Sequence, residues 1–310
     1  MSINFNNPYQ SYSSQNIWDG IKSSFREGSV LTKLIYINLG VFLVVNIVSV
    51  ITWIMGIQNP QIPFLVKWLS VPADTNALLH RPWTVFTYMF LHQEFLHILF
   101  NMLWLYWFGR IFLTYLDQKK LLSIYLLGGI TGAAAYIFAY NLFPIFENVR
   151  WGSFALGASA SVMAVVLATV VYAPNHIVRM MFIGSVRIKY IALFFLFTDI
   201  INIPHGNAGG HLAHLGGAFY GWLFIYQLRK GKDISSGFNA LMDSFFSLFR
   251  KRKMKVSYKK TQQMTDEEYN KSKKENQKEL NQILEKIAKS GYDSLNKEEK
   301  AILFKSSDKK

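Results

Sequence analysis

From Leu34 to Val66 the sequence carries no Lys, Arg, Asp or Glu. About 20 predominantly apolar residues are enough for a helix to cross a hydrocarbon core of about 30 Å, so this run dictates a membrane span. The rest of the chain agrees. It is 51% hydrophobic and only 17% charged, where a soluble domain carries about a quarter charged residues. The charge is also uneven, because residues Lys232 to Lys310 are mostly polar. The pattern is that of a membrane part followed by a water-soluble tail.

Composition excludes several chemistries. With no cysteine, there is no disulfide, thiolate nucleophile or cysteine-held metal cluster. The net charge of +14 is explained by basic residues flanking spans, and no nucleic-acid module is visible, so nucleic acid is not an expected partner. The polar start, MSINFNNPYQSYSSQN, delays the first apolar run beyond where a secretory signal would place it, so the first span reads as retained.

Six spans are expected: Leu34–Met55, Phe95–Leu113, Leu121–Leu142, Phe154–Tyr172, Tyr190–Ile203 and Gly210–Tyr226. Basic residues accumulate before span 1 (Lys22, Arg26, Lys33), between spans 2 and 3 (Arg110, Lys119, Lys120), between spans 4 and 5 (Arg179, Arg187, Lys189) and after span 6 (Arg229, Lys230, Lys232). The other connections carry Lys67 and Arg81, then Arg150, then none. By the positive-inside rule both termini are expected in the cytoplasm.

The fold class is therefore all-α, a six-helix polytopic bundle with a small helical soluble tail. The expected divisions are residues 1–30, a polar N-terminal segment; 31–230, the membrane domain; 231–262, an amphipathic and basic linker; and 263–310, a helical extension. The first outer connection, about Gly56 to Gln93, is too rich in Trp, Phe and Leu for a simple solvated loop and reads as interfacial or partly embedded. In the linker, Phe238, Leu241, Met242, Phe245, Phe246 and Phe249 share helical spacing ahead of Arg250, Lys251, Arg252, Lys253, Lys255, Lys259 and Lys260. That reads as a helix on an anionic leaflet, with docking on protein as the alternative. In the extension, Thr265/Glu268 and Asn296/Glu299 have capping-box spacing and Gly291 is placed to stop a helix.

Polar groups inside spans are costly and usually face a bundle interior or a water-filled cavity. With the topology above, Ser159 in span 4 and His214 in span 6 both lie on the order of 10 Å below the outer surface. His97 and Asn101, four residues apart on one face of span 2, lie near the same end. A serine hydroxyl becomes nucleophilic when a base takes its proton, and histidine is the usual base. No acid accompanies His214 within span 6, so a Ser–His dyad is expected rather than a triad. Asn101 and His97 can donate to a developing oxyanion, each such donor being worth roughly 3 kcal/mol. Gly157 lies among small residues of span 4, while Gly217 and Gly221 are spaced as GxxxG on the His214 face of span 6. Small residues at this spacing let helix backbones meet. Ser161 points about 200° away from Ser159 around a helix. His211, His92 and Asp199 read as structural.

These residues carry a family resemblance. HILFNMLWLYWFG resembles the His-x-x-x-Asn helix of rhomboid intramembrane serine proteases, GASA resembles their Gly-x-Ser-Gly motif, and AHLGGAFYG resembles their Ala-His-x-x-Gly-x-x-x-Gly helix. The resemblance covers about Arg81 to Gly221, in family order, and the tail resembles C-terminal extensions of some bacterial rhomboids. It implies hydrolysis of a peptide bond in or near a substrate's transmembrane helix, with Ser159 attacking, His214 as base, and Asn101, His97 and the Ser159 amide binding the oxyanion. It also implies an inner (cytoplasmic) membrane location, single-span or polytopic membrane-protein substrates, a lipid bilayer as surroundings, and no cofactor or metal. The sequence departs from the family at Ala160, where glycine is usual, and at Trp83-Thr84, where Trp-Arg is frequent. Alanine is tolerated at 160 if that position is helical, and not if it needs positive φ. Two rival readings remain at this stage: an inactive rhomboid-like protein that binds transmembrane clients, and a haem or metal protein using His92, His97, His211 and His214.

Overall fold

The computed structural model describes residues 17–57, 63–180, 184–249 and 265–307. The chain forms two compact units, Met1–Phe249 and Arg250–Lys310.

In the first unit, α1 (Ile17–Glu27) leads into α2 (Val30–Ile54). The Ser29 hydroxyl caps α2 by accepting the Thr32 N–H at 3.2 Å. Next come α3 (Phe64–Leu69), strand β1 (Val71–Pro72), α4 (Thr75–His80), α5 (Thr84–Thr87) and a 3-10 turn at Tyr88–Phe90. The long helices follow: α6 (Phe95–Tyr115) and α7 (Gln118–Leu142). Strand β2 (Phe154–Ala155) precedes α8 (Ser159–Tyr172), and the β3 (Ile177–Met180) and β4 (Gly184–Arg187) pair precedes α9 (Ile188–Asn202). The unit closes with α10 (Ala208–Arg229) and α11 (Ser236–Phe249).

Among the described residues, four stretches are long and apolar enough to cross a membrane: Val30–Ile54, Phe95–Tyr115, Gln118–Leu142 and Ile188–His205. These correspond to expected spans 1, 2, 3 and 5. Expected span 4 begins later than the sequence suggested. Its helix starts at Ser159, and Phe154–Ala155 instead pair antiparallel with Val71–Pro72. At 14 residues α8 is about 21 Å long. Ser159 therefore stands at a helix start, not several residues inside one.

α8 is the centre of the packing, and every residue from Ala160 to Val170 is buried. Lipid tails are as apolar as leucine, so helices in a bilayer associate through close contact, which small residues permit. On one side α7 presents Gly128 and Gly132, where an added methyl would lie 2.2 Å from the Ala164 Cβ and 2.5 Å from the Ala160 Cβ. On the other, α10 presents Gly217 and Gly221, where a methyl would lie 2.0 Å from the Ala160 carbonyl oxygen and 2.2 Å from that of Ala164. Asn38, the buried polar residue of α2, is satisfied by the Tyr125 hydroxyl of α7 at 3.0 Å.

The first connection is folded rather than loose. The Trp83 indole N–H donates to the Trp68 carbonyl at 3.0 Å, and the two indoles stack with 6.2 Å between ring centroids. The Arg81 guanidinium donates to the Lys67 carbonyl. Trp83 and Arg81 thus tie the connection to α3 although they are not adjacent.

α11 docks one face on protein. Phe238 and Met242 pack against the core, Asn239 accepts the Ser123 hydroxyl at 2.6 Å, and Asp243 pairs with Lys119 at 2.9 Å. Leu241 stays exposed. The basic run Arg250 to Lys260 lies outside the described residues.

The second unit holds α12 (Asp266–Ser290) and α13 (Lys297–Ser307). The capping box at Thr265 and Glu268 is formed, α12 stops at Gly291 with φ 78°, and Asn296 and Glu299 exchange reciprocal bonds of 2.8 Å. Ile283 and Leu295 are its buried apolar side chains among the described residues.

Candidate active site

The approach to Ser159 is pinned residue by residue. The Ala73 N–H donates to the Ser153 carbonyl at 3.0 Å beside the β1–β2 pair. The Gly157 N–H donates to the Tyr88 carbonyl at 2.9 Å, and the Ala158 N–H to His92 Nε2 at 3.3 Å. Gly157 has φ +120°, a conformation that side chains resist, and a methyl there would lie 2.8 Å from His97 Cε1. Both the turn and the neighbour therefore require glycine.

That turn sets Ser159 at the first position of α8. The first helical bond onto the preceding turn is Val162 N–H to the Ala158 carbonyl, at 2.9 Å. The N–H groups of Ser159, Ala160 and Ser161 precede it and have no acceptor within the helix. A helix start of this kind presents donors and the positive end of the helix dipole. Ala160 lies inside α8, and the residues with positive φ do not include it. The helical condition for tolerating alanine is met.

His97 lies on the other side of Gly157. The methyl that would touch the His97 ring would also lie 3.7 Å from the Ser159 hydroxyl oxygen. His97 packs edge-on against the buried His92, with 5.1 Å between ring centroids. Asn101, one turn further along α6, is buried and donates its amide to the His97 carbonyl at 2.9 Å.

α10 brings His214 to the same place. Ala160 and Ala213, the residues after Ser159 and before His214, both border one point beside Gly132. Gly217, one turn after His214, lies on the Ala160 carbonyl. Among the described residues Ser159 and His214 do not share a hydrogen bond; without substrate such bonds are commonly long and tighten in the reacting complex.

His214 does have an acidic partner, supplied by α9 and not by its own span. Its Nδ1 lies 2.8 Å from Oδ1 of Asp199 on α9, and His211 Nδ1 lies 2.7 Å from the same oxygen. The signal was a single carboxylate in the apolar helix IKYIALFFLFTDIIN. These three donor atoms lie within 4.8 Å of one another, a set able to hold a metal ion. The direct hydrogen bonds already satisfy all three.

Ser161 points away from this group. A methyl on Gly129 of α7 would lie 2.5 Å from its hydroxyl oxygen, and that oxygen is buried without a hydrogen-bond partner. The structure thus gathers Ser159, His97 and Gly157, with Asn101 one turn away on α6 and His214 on the adjoining α10, which Gly217 and Gly221 hold against α8. It leaves Ser161 outside and adds Asp199 and His92.

Residues 79–231 match the rhomboid domain family, and residues 263–309 match a family of unknown function (DUF6576). The chain is 26% identical over 224 residues to "RHOMBOID-like protein 12, mitochondrial" of Arabidopsis thaliana, covering 69% of this chain and 63% of that protein. It is 25% identical over 162 residues to "Rhomboid protease GlpG" of Yersinia pseudotuberculosis serotype I (strain IP32953), covering 52% of this chain and 53% of that protein. The chain thus spans less than two thirds of the length of either relative. A rhomboid domain match, two rhomboid relatives and several helices able to cross a membrane lead to one conclusion: residues 79–231 are a rhomboid-family domain within a multi-pass membrane protein.

Proposed function

We propose that this protein is an intramembrane serine endopeptidase that cleaves membrane-protein substrates in or near a transmembrane helix. The observation that carries the reading is the closeness of Ser159, at the amide-rich start of α8, to His97, with the carboxylate-bound His214 on α10, whose Gly217 lies on the Ala160 carbonyl. In the proposed reaction the Ser159 oxygen attacks the scissile carbonyl carbon and its proton passes to His214 Nε2. The oxyanion is held by the N–H groups at the start of α8, with His97 and Asn101 as further donors. The tetrahedral adduct collapses as His214 returns the proton to the leaving amine. Water, deprotonated by the same histidine, then releases the acyl group from Ser159.

The reading extends to topology and organisation. Both termini lie in the cytoplasm, the protein resides in the inner membrane, and residues 31–230 form the catalytic domain, followed by the linker 231–262 and the extension 263–310. The missing Ser159–His214 hydrogen bond favours one alternative, a client-binding protein without catalysis.

The test is labelling of the purified full chain in detergent by a fluorophosphonate, which modifies activated serines. Wild type should label, and Ser159→Ala and His214→Ala should each lower the rate by ~10³-fold or more. A folded wild type that neither labels nor cleaves a transmembrane-helix substrate would favour client binding.

A further inference from the structure

We propose that Asp199 is a positioning residue for His214, so that the site works as a Ser–His–Asp set spread over α8, α10 and α9. The proposal rests on the serine-nucleophile reading above.

Asp199 is placed where it needs a partner. Its side chain is only 9% exposed and sits near the end of an otherwise apolar helix. A carboxylate in that setting must be paired. Its partners are two imidazoles from α10, spaced i, i+3 on one helix face.

The donor logic then fixes a proton. An ionised carboxylate only accepts, so each imidazole meets Oδ1 with Nδ1–H. In neutral His214 that leaves Nε2 as the unprotonated nitrogen, the one a base needs. The bond also fixes the ring's rotation about its side-chain axis. Asp199 touches neither Ser159 nor the scissile bond, so its effect passes through His214. When His214 takes the Ser159 proton, the neighbouring carboxylate stabilises the imidazolium without itself being protonated.

His211 shares the oxygen but not the job. His214 is three residues from Gly217, which lies on the Ala160 carbonyl next to Ser159, whereas His211 is one turn further away. His211 competes for the carboxylate and is not needed for the tautomer of His214.

A purely structural clamp between α9 and α10 would use the same bonds, so the test must separate the two. Full-length wild type, Asp199→Ala, Asp199→Asn and His211→Gln are compared in detergent by fluorophosphonate labelling, resolved into the probe's affinity and its maximal inactivation rate. Rates are taken per folded molecule, with thermal unfolding recorded in parallel. Asp199→Ala should lower the maximal rate ~100-fold, with probe affinity within about threefold. Asp199→Asn, which keeps an acceptor oxygen but loses the charge, should fall in between. His211→Gln should lose less than either. The proposal is overturned if Asp199→Ala labels at the wild-type rate per folded molecule while only its unfolding temperature drops. Failure of wild type to label at Ser159 removes the nucleophile and this proposal with it, whereas Ser159-dependent labelling that survives Asp199→Ala removes this proposal alone.

Discussion

The apolar helices α2 and α9 and the inner helices α8 and α10 are packed very differently. α2 and α9 lie in stretches long and apolar enough to cross a membrane, Val30–Ile54 and Ile188–His205, yet only 17% of the apolar window in each is buried within the protein. α8 is short, and α10 is interrupted by Gly and His, yet they pack on each other and on α7. Hydropathy reports the surface a helix offers to lipid. A helix surrounded by other helices is free to carry Ser, His and Gly, and close packing requires the small ones. Asp199 refines the contrast, because the outer helix α9 contributes to the site through one inward carboxylate.

The sharpest way to break this comparison, after the Ser159 and Asp199 variants, is to place the same methyl on an inner and an outer glycine. Gly217→Ala puts a carbon 2.0 Å from the Ala160 carbonyl oxygen, so α8 and α10 must move apart. Overpacking of this kind costs about 1–3 kcal/mol. Gly40→Ala on α2 meets nothing within 4 Å and should stabilise by about 0.5–1 kcal/mol through helix propensity. Thermal unfolding in one detergent compares them directly. Equal effects would mean that α8 and α10 are no more tightly packed than the periphery.

A smaller effect sharpens the picture within α8. Ser161→Ala removes a buried hydroxyl that lacks a partner, so the variant should be as stable as wild type or up to about 1 kcal/mol more stable. It should also keep its labelling by fluorophosphonate. Loss of labelling in Ser161→Ala with retention in Ser159→Ala would exchange the two serines.

The smallest effect belongs to the second unit. The Lys286 ammonium, and next the Asn296 N–H, hold the Glu299 carboxyl below the usual glutamate range. A carboxyl lowered on folding contributes stability that is present above its unfolded value and lost as pH falls through the folded one. Helix content of the full chain, followed by circular dichroism, should therefore dip slightly on acidification below the glutamate range. Glu299→Gln should show that dip already at neutral pH. An unchanged spectrum would leave the α12–α13 pair dependent on Ile283 and Leu295 alone.

Much of this was legible before any coordinates. The His97/Asn101 spacing, the GxxxG of α10 and the alternation of spans placed four polar side chains at one end of the bundle, and the caps at Thr265, Gly291 and Asn296 declared themselves. Two things were not legible. The late start of α8 depends on φ at Gly157, and a run of small residues reads as helix whether or not its first glycine turns. The Asp199–His214 pair depends on the rotation of α9. An almost uniformly apolar helix has no moment to reveal which face turns inward. The chain reversal that brings Asp199 back over α10 runs through Gly206 at φ 129° and Asn207 at φ 47°, which sequence marks only as a turn.

The shortness of α8 bears on the supply of water. A helix of about 21 Å leaves roughly a third of a 30 Å hydrocarbon layer to be spanned by other backbone. Here that backbone is the irregular stretch through Leu156, Gly157 and Ala158. Non-helical chain at membrane depth is tolerated only where protein buries it or where it borders a wet cavity. Gly157 and Ala158 are buried by protein, while the Ser159 side chain next to them remains partly exposed. In the peptidase reading proposed above, each bond cut consumes one water, and the partly exposed Ser159 at the start of so short a helix is the point that water must reach.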